Sequence, residues 1–310
     1  MAKKKRGRPL DGILVLDKPV GVTSNAALQE AKWLYFAAKA GHTGSLDPLA
    51  SGVLPLCFGE ATKFSQFLLE ADKGYASTFV LGARSTTDDA DGEIESVADA
   101  TGLGDEEIER ALAGFVGEQM QMPPMYSAIK HNGKRLYALA REGEEVEREP
   151  RAVRIDRLDL LAVRDSAKPG CIEVDVVMQV SKGTYVRRIA ADLGEMLGVG
   201  GYVSALRRSL AGPFEEVQGV TLDTLRSMKE RNEFEQMDAL LLPVEAALAN
   251  LPVIELDESM GFYLRRGQPI QVSGSPLSGN VKLRSSGGDF IGVGEVIDDG
   301  RVAPRRLLAS

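Results

Sequence analysis

The pattern of helix-like and strand-like segments changes at Pro252, and this change limits the folds that the chain can adopt. Before Pro252, segments with helical apolar spacing, such as 25–39, alternate with strand-like segments, such as GILVL (12–16) and CIEVDVVMQV (171–180). After it, short β-like runs are separated by turns of glycine, serine and acidic residues. Mixed helices and strands are typical of an α+β domain, whereas evenly spaced short strands are typical of a small β-barrel. The pattern predicts one large unit over 12–250 and a smaller one over 251–310.

The net charge of −8 hides an uneven distribution of charged residues. Residues 84–118 contain eleven acids and two arginines, a local charge of −9, so the rest of the chain carries −8 minus −9, or +1. Basic clusters lie at 1–9, 130–154 and 182–208. Such clusters can follow a phosphate backbone, although each can equally be a solvated surface. Residues 1–11 lack apolar periodicity and predict a disordered basic arm.

The cysteines and histidines argue against a metal site or a disulfide framework. Cys57 and Cys171 are far apart in the sequence, and each lies among apolar residues. His42 and His131 have no potential ligand residues at the spacing of a metal site. No uncharged apolar run approaches the roughly 20 residues of a membrane helix, and GILVL is too short for a signal-peptide core. We therefore expect a cytoplasmic protein with metal-free chemistry.

The loop GHTGSLDPLASGVL (41–54) contains a single carboxylate, Asp47, just before an apolar segment. It lacks the lysine of a Walker loop and the GxGxxG spacing of a dinucleotide site. No GxSxG elbow supports a hydrolase triad with Ser45 and His42, and no second carboxylate near Asp47 supports glycoside hydrolysis. Aspartate before proline is also common in turns. Two interpretations stay open: a turn residue, or an acid that acts alone in a rigid site.

Five segments together resemble one family. They are DKPVGVTS (17–24), GHTGSLDPLASGVL (41–54), KGY (73–75), SKGTYVRR (181–188) and ALRR (205–208). The set resembles the TruB family of tRNA pseudouridine synthases over about residues 12–245. The resemblance implies an α+β catalytic domain with a mixed, largely antiparallel central sheet, followed by a PUA-like RNA-binding barrel over 251–310. It also implies isomerisation of uridine to pseudouridine at position 55 in the T-loop of tRNA, by base flipping and without a cofactor.

The resemblance implies that Asp47 is the nucleophile. Burial would raise the pKa of an aspartate and protonate it, whereas a nearby guanidinium lowers that pKa by about 1 to 3 units. A reactive carboxylate therefore needs an arginine, and the resemblance supplies Arg187, which we expect at the end of a strand. Tyr75 would lie against the flipped uracil and help to move the proton from C5. Without the resemblance, Tyr75 would be an ordinary strand aromatic.

The other implied residues bind the substrate. Flipping a base out of a folded loop leaves a gap, which His42 would fill. The remaining assignments are Tyr185 and Leu206 as pocket walls, Lys18 as part of the pocket floor, and Arg207 and Arg208 as phosphate contacts.

Two alternatives from other classes stay open. One is a non-catalytic RNA-folding or ribonucleoprotein scaffold on the same fold, and the other is a DNA-binding protein that uses the RGRP segment (6–9). For the synthase we expect a monomer that binds the T-loop and stem of tRNA, with no membrane and no small-molecule cofactor.

Overall fold

The computed structural model describes residues 7–127, 129–131, 133–141, 143–144 and 146–309. Its helices are α1 (Ser24–Leu34), α2 (Ser65–Glu70), α3 (Asp105–Ala113), α4 (Leu136–Arg141), α5 (Val186–Met196), α6 (Leu222–Glu230), α7 (Phe234–Ala239) and α8 (Glu258–Arg265). Further 3-10 helices lie at Gly59–Lys63, Glu216–Gln218 and Val244–Leu248. No helix in this part of the chain has the length and apolar character needed to cross a membrane.

The strands form one large sheet, one smaller sheet and two hairpins. They are β1 (Gly12–Lys18), β2 (Ala40–His42), β3 (Ala50–Phe58), β4 (Lys73–Leu81), β5 (Ala83–Ser85), β6 (Ile94–Ser96), β7 (Gly117–Gln121), β8 (Lys130–His131), β9 (Lys134–Arg135), β10 (Arg151–Asp165), β11 (Ile172–Val180), β12 (Gly201–Ala211), β13 (Phe214–Glu215), β14 (Val220–Thr221), β15 (Val253–Leu256), β16 (Gly279–Ser285), β17 (Phe290–Val296) and β18 (Val302–Leu307).

The large sheet has the order β14-β1-β3-β12-β4-β11-β10-β7, with β2 paired to β3 and β13 to β12. The β1–β14 and β3–β12 pairs are parallel, and the other pairs are antiparallel. The predicted mixed, largely antiparallel central sheet is therefore confirmed. The parallel β3–β12 pair sets Leu206 opposite Ala50, which brings the ALRR segment to the end of the Asp47 loop.

Strand β1 is buried on both faces, which explains its unbroken apolar sequence. Leu14 and Leu16 belong to the core that includes α1, α3 and α5. Because side chains alternate along a strand, Ile13 and Val15 face the other way. They belong to a second core, formed with the 3-10 helices at 59–63 and 244–248 and with α2. Helices thus cover both sides of the sheet at β1.

The C-terminal strands form a four-stranded sheet of order β15-β16-β17-β18. Within the described residues β15 and β18 are not paired, so the predicted closed barrel is corrected to an open sheet. Most of its apolar residues form a core of their own with Leu264 of α8, and a few also pack against the larger unit. The ring centroid of Phe290 lies 5.5 Å from that of Phe64, and Val293 joins the second core. The sheet therefore covers apolar surface of the larger unit.

The structure contradicts three expectations about the N-terminal region. Residues 7–11 are ordered, since the Arg8 backbone N–H donates to the Phe36 carbonyl at 2.6 Å and the Arg8 guanidinium pairs with Asp238. Residues 1–6 of the predicted arm lie outside the described residues.

Helix α1 ends at Leu34 rather than at residue 39, because Phe36 adopts a left-handed φ of 50°. Trp33, expected in the helix packing, is 62% exposed.

Candidate active site

The glycine-rich loop between β2 and β3 places Asp47 in a cleft of about 300 Å³. The cleft is lined by Gly44, Ser45, Leu46, Asp47, Leu69, Lys73, Tyr75, Ser127, Ser181, Gly183, Thr184, Tyr185, Val186, Arg187, Leu206 and Arg208. Apart from Leu69 and Ser127, these residues come from the TruB-like segments, all of which contribute except DKPVGVTS. The fold therefore gathers separate motifs around one acid.

A buried arginine holds the Asp47 carboxylate. Arg187 lies in the first turn of α5, not at the end of a strand as expected, and its Nε is 3.0 Å from Asp47 Oδ2. Its Nη1 is 3.2 Å from Asp89 Oδ2 and donates to the Thr87 carbonyl, while its Nη2 donates to the Tyr126 carbonyl. Every nitrogen of the guanidinium has a partner, so its plane is fixed.

Two carboxylates share this guanidinium, and this sharing adds to the effect of burial on the charge of Asp47. The pKa of Asp47 is raised, first by burial and further by the nearby Asp89, while Arg187 and Lys18 act in the opposite direction. The expected Arg187 partner is in place, yet its lowering effect on the pKa is outweighed. The Asp47 side chain is 44% exposed and lines the cleft. A substrate that fills the cleft would therefore remove water from this acid.

Lys18 lies beneath the site. It is fully buried, and its Nζ donates to the Pro19 and Val22 carbonyls at 2.7 and 2.6 Å. Burial lowers its pKa to about 8, although the charge of Asp47 partly opposes this shift. Lys18, which we expected on the pocket floor, is thus a buried structural cation. Its positive charge also lowers the pKa of Asp47.

Tyr75, Tyr185 and Leu206 line the cleft. Tyr75 lies on β4 opposite Arg208 of β12. Tyr185 precedes α5, and its backbone is held by Gln121, whose side chain accepts from the Tyr185 N–H at 2.8 Å and donates to its carbonyl at 3.1 Å. Burial raises the pKa of the Tyr185 phenol. These three side chains surround space next to Asp47 in which a flat base could lie.

The two arginines of the ALRR segment have different surroundings. Arg207 is partly exposed and pairs with both oxygens of Asp17 at 3.0 Å and with Glu216 at 2.8 Å. Arg208 is 1% exposed, and its guanidinium donates to the Val53 and Gly44 carbonyls. A Cβ at Gly52 would lie 2.2 Å from the Arg208 carbonyl oxygen, so the close approach of the paired strands β3 and β12 requires glycine at this position. Arg208 therefore supports the Asp47 loop from within, where we had expected a phosphate contact.

His42 lies on β2 opposite Leu56, upstream of the Asp47 loop. It is not among the described residues that line the cleft. Its assignment to the gap left by the flipped base stays a prediction.

Sequence reasoning missed three supporting residues. Asp89 lies in the acidic stretch 84–118, to which we assigned no role in the site, yet it is buried beside Arg187. Gln121 had no signal in the sequence. Lys73 opens the KGY segment, and its Nζ donates to the Leu68, Leu69 and Ala71 carbonyls at the end of α2. In the described part of the chain no cluster of histidine, cysteine or acidic side chains is arranged to hold a metal ion.

Comparison with known proteins agrees with this geometry. The family model described as TruB family pseudouridylate synthase (N terminal domain) matches residues 32–186. Models for the tRNA pseudouridylate synthase B C-terminal domain and for the C-terminal region of pseudouridine synthase II TruB match residues 187–249 and 252–308. The chain belongs to the TruB family of pseudouridylate synthases.

Curated relatives of this TruB family member match it along its whole length. A protein named tRNA pseudouridine synthase B from Pseudomonas aeruginosa (strain UCBPP-PA14) is 52% identical and covers 100% of both chains. Its namesake from Saccharophagus degradans is 48% identical over 99% of this chain and 98% of the other. No large insertion or deletion separates this chain from these relatives.

Solved structures share the fold of this TruB family member. A chain of an H/ACA RNP bound to a substrate RNA containing 2′-deoxyuridine is 22% identical, with a TM-score of 0.72, and the match covers 100% of this chain and 92% of that one. A chain of the archaeal box H/ACA sRNP Nop10-Cbf5 complex is 23% identical, with a TM-score of 0.69, over 99% and 92%. At these identities the likeness establishes the pseudouridine synthase fold.

Proposed function

We propose that this TruB family member isomerises uridine to pseudouridine at position 55 in the T-loop of tRNA, with Asp47 as the nucleophile. The observation that carries the proposal is the Asp47 carboxylate in a cleft, held by a buried Arg187 at 3.0 Å. The relatives that match over the whole chain are named tRNA pseudouridine synthase B, which supports tRNA as the substrate.

The reaction rearranges atoms without adding or removing any. Asp47 attacks the target nucleoside and forms a bond to it, the bond between ribose and N1 of uracil breaks, and the base turns. When the base rejoins the ribose through C5, the bond to Asp47 breaks and the free carboxylate is restored. C5 loses a proton, and N1 ends with one. Tyr75, which lines the cleft, is the residue that we assign to the movement of the C5 proton. Arg187 keeps the attacking carboxylate oriented and opposes its protonation.

A flipped uridine can reach Asp47 only if the rest of the T-loop has space beside it. A second concavity of about 510 Å³ shares Leu206 with the cleft and is bordered by Pro48 and Leu49. We assign it to nucleotides that flank the target. His42 would fill the gap in the RNA, and Arg207 is the candidate phosphate contact at this edge. Recognition would depend mainly on the shape of the T-loop and stem.

The remaining parts of the proposal concern the whole protein. The C-terminal unit would add RNA contacts as a PUA-like module. The enzyme would act as a cytoplasmic monomer, with no small-molecule cofactor.

The test is to map pseudouridine in a T-loop hairpin transcript incubated with the purified protein alone. We expect one pseudouridine at position 55, none with Asp47→Asn, and none in a matched transcript with cytidine at that position. Tight binding of the transcript without pseudouridine would overturn the proposal and favour the non-catalytic RNA scaffold.

A further inference from the structure

The backbone on both sides of Asp47 is held by the DKPVGVTS segment. The Ser24 hydroxyl accepts a hydrogen bond from the Leu46 N–H at 2.7 Å and donates one to the Leu46 carbonyl at 2.9 Å. The Gly21 N–H donates to the Pro48 carbonyl at 2.7 Å. The residues before and after the nucleophile are thus fixed to the same short turn.

The Ser24 contact meets a need of the loop. The Leu46 side chain is buried in the main core, so its backbone polar groups are also removed from water. Buried N–H and C=O groups require partners, and here no sheet ladder provides them. A serine hydroxyl can donate and accept at once, so one buried side chain, 4% exposed, satisfies both groups.

Ser24 is not required as the helix cap. The cap of α1 is Thr23, whose side-chain oxygen accepts from the Ala26 N–H at 3.1 Å. Ser24 is the first residue of the helix and points its hydroxyl at the loop instead. The Thr23 hydroxyl therefore caps its own helix, whereas the Ser24 hydroxyl binds the backbone of the Asp47 loop.

We propose that Ser24 is a positioning residue for the pseudouridine reaction: by binding both backbone groups of Leu46, it sets the place from which the Asp47 carboxylate attacks. This inference rests on the proposed function. Arg187 orients the end of the Asp47 side chain, whereas Ser24 locates its backbone. A displacement of about 1 Å in a reacting group can reduce a rate about 100-fold.

The experiment compares Ser24→Ala with the matched control Thr23→Ala in the full-length protein. For each we would measure the single-turnover rate of pseudouridine formation on a T-loop transcript, the transcript dissociation constant and the Tm. We expect Ser24→Ala to slow the reaction by about 10- to 100-fold, with the dissociation constant within about threefold of the parent. Thr23→Ala should lower the Tm as a lost helix cap does, but leave the rate within about threefold.

Two further variants keep the inference testable. Ser24→Thr retains the hydroxyl and should recover most of the rate. Ser24→Cys preserves the volume with a weaker hydrogen-bonding group, and it decides the question if Ser24→Ala does not fold. A parental rate in Ser24→Cys or Ser24→Ala, or an equal slowing by Thr23→Ala, would overturn the inference. An inactive parent protein would instead refute the proposed function.

Discussion

The Nε atom of Arg187 lies 3.0 Å from the Oδ2 atom of Asp47, although the two residues belong to a helix and a loop far apart in the chain. The arginine is 4% exposed and also pairs with the buried Asp89. A planar guanidinium with fixed partners holds a carboxylate in one orientation. The pair therefore determines the direction of the proposed nucleophile, and Arg187 opposes its protonation.

Replacing the nucleophile should separate binding from chemistry. Asp47→Asn is expected to abolish pseudouridine formation while the transcript dissociation constant stays within a few-fold of the parent, because the amide keeps the shape but cannot attack as a carboxylate does. Retained turnover would eliminate the nucleophile assignment.

The same variant should not be less stable than the parent at neutral to basic pH. The folded-state pKa of Asp47 is raised, so the native state binds this proton more tightly than the unfolded state does. The stability that this bound proton contributes is therefore lost as the pH rises through the folded-state pKa of Asp47. Thermal unfolding at about pH 8 should give an equal or higher Tm for Asp47→Asn. A clearly lower Tm would show that Arg187 stabilises the ionised form by more than burial opposes it.

Arg187→Lys keeps the charge but loses the planar group that contacts two carboxylates and two carbonyls. We expect the single-turnover rate to fall at least about 100-fold, since one ammonium cannot hold all four partners. The matched control is Arg188→Lys, the next residue on α5, whose partners are the surface acids Asp192 and Glu195. A rate in Arg187→Lys similar to that of the Arg188→Lys control would contradict this role.

The pH dependence of the rate should report on Asp89. Because the reaction requires ionised Asp47, whose pKa is raised, the rate should decline on acidification at a pH above the usual aspartate range. The charge of Asp89 contributes to this rise, so Asp89→Asn should move the acidic decline to lower pH. The measurement is the single-turnover rate between about pH 5 and 9. A shift towards higher pH would mean that the main task of Asp89 is to hold Arg187 in place.

The two arginines of ALRR should differ in their effect on stability. Arg208→Met leaves the buried Val53 carbonyl and the partly buried Gly44 carbonyl without these donors and should lower the free energy of unfolding by about 2 to 4 kcal/mol. Arg207→Met removes half-exposed ion pairs and should lower it by about 1 kcal/mol or less. Chemical denaturation of both variants measures the difference, and equal losses would refute the buried supporting role of Arg208.

Local sequence was sufficient for much of the site. The glycine-rich loop, the apolar β1 and the helix after SKGTY all have short-range patterns, and the TruB-like segments identified Asp47 and its arginine partner. Patterns of this kind do not show whether a charged side chain is buried or exposed in the folded protein. Asp89 is one of eleven acids in residues 84–118, and we expected Arg208 to be a phosphate contact, yet both are buried.

The sequence by itself determined the order of the elements, the family resemblance and the residue that carries the proposed chemistry, because periodicity and motif spacing are local properties of the chain. The tertiary structure decided which charges meet. Arg187 reaches Asp47 and Asp89, and Ser24 reaches Leu46, only because the sheet and the packed helices bring distant segments together. It also left the C-terminal sheet open, with a core of its own and a few apolar residues packed on the larger unit. Contacts between distant residues depend on how whole elements pack, which short-range patterns do not specify.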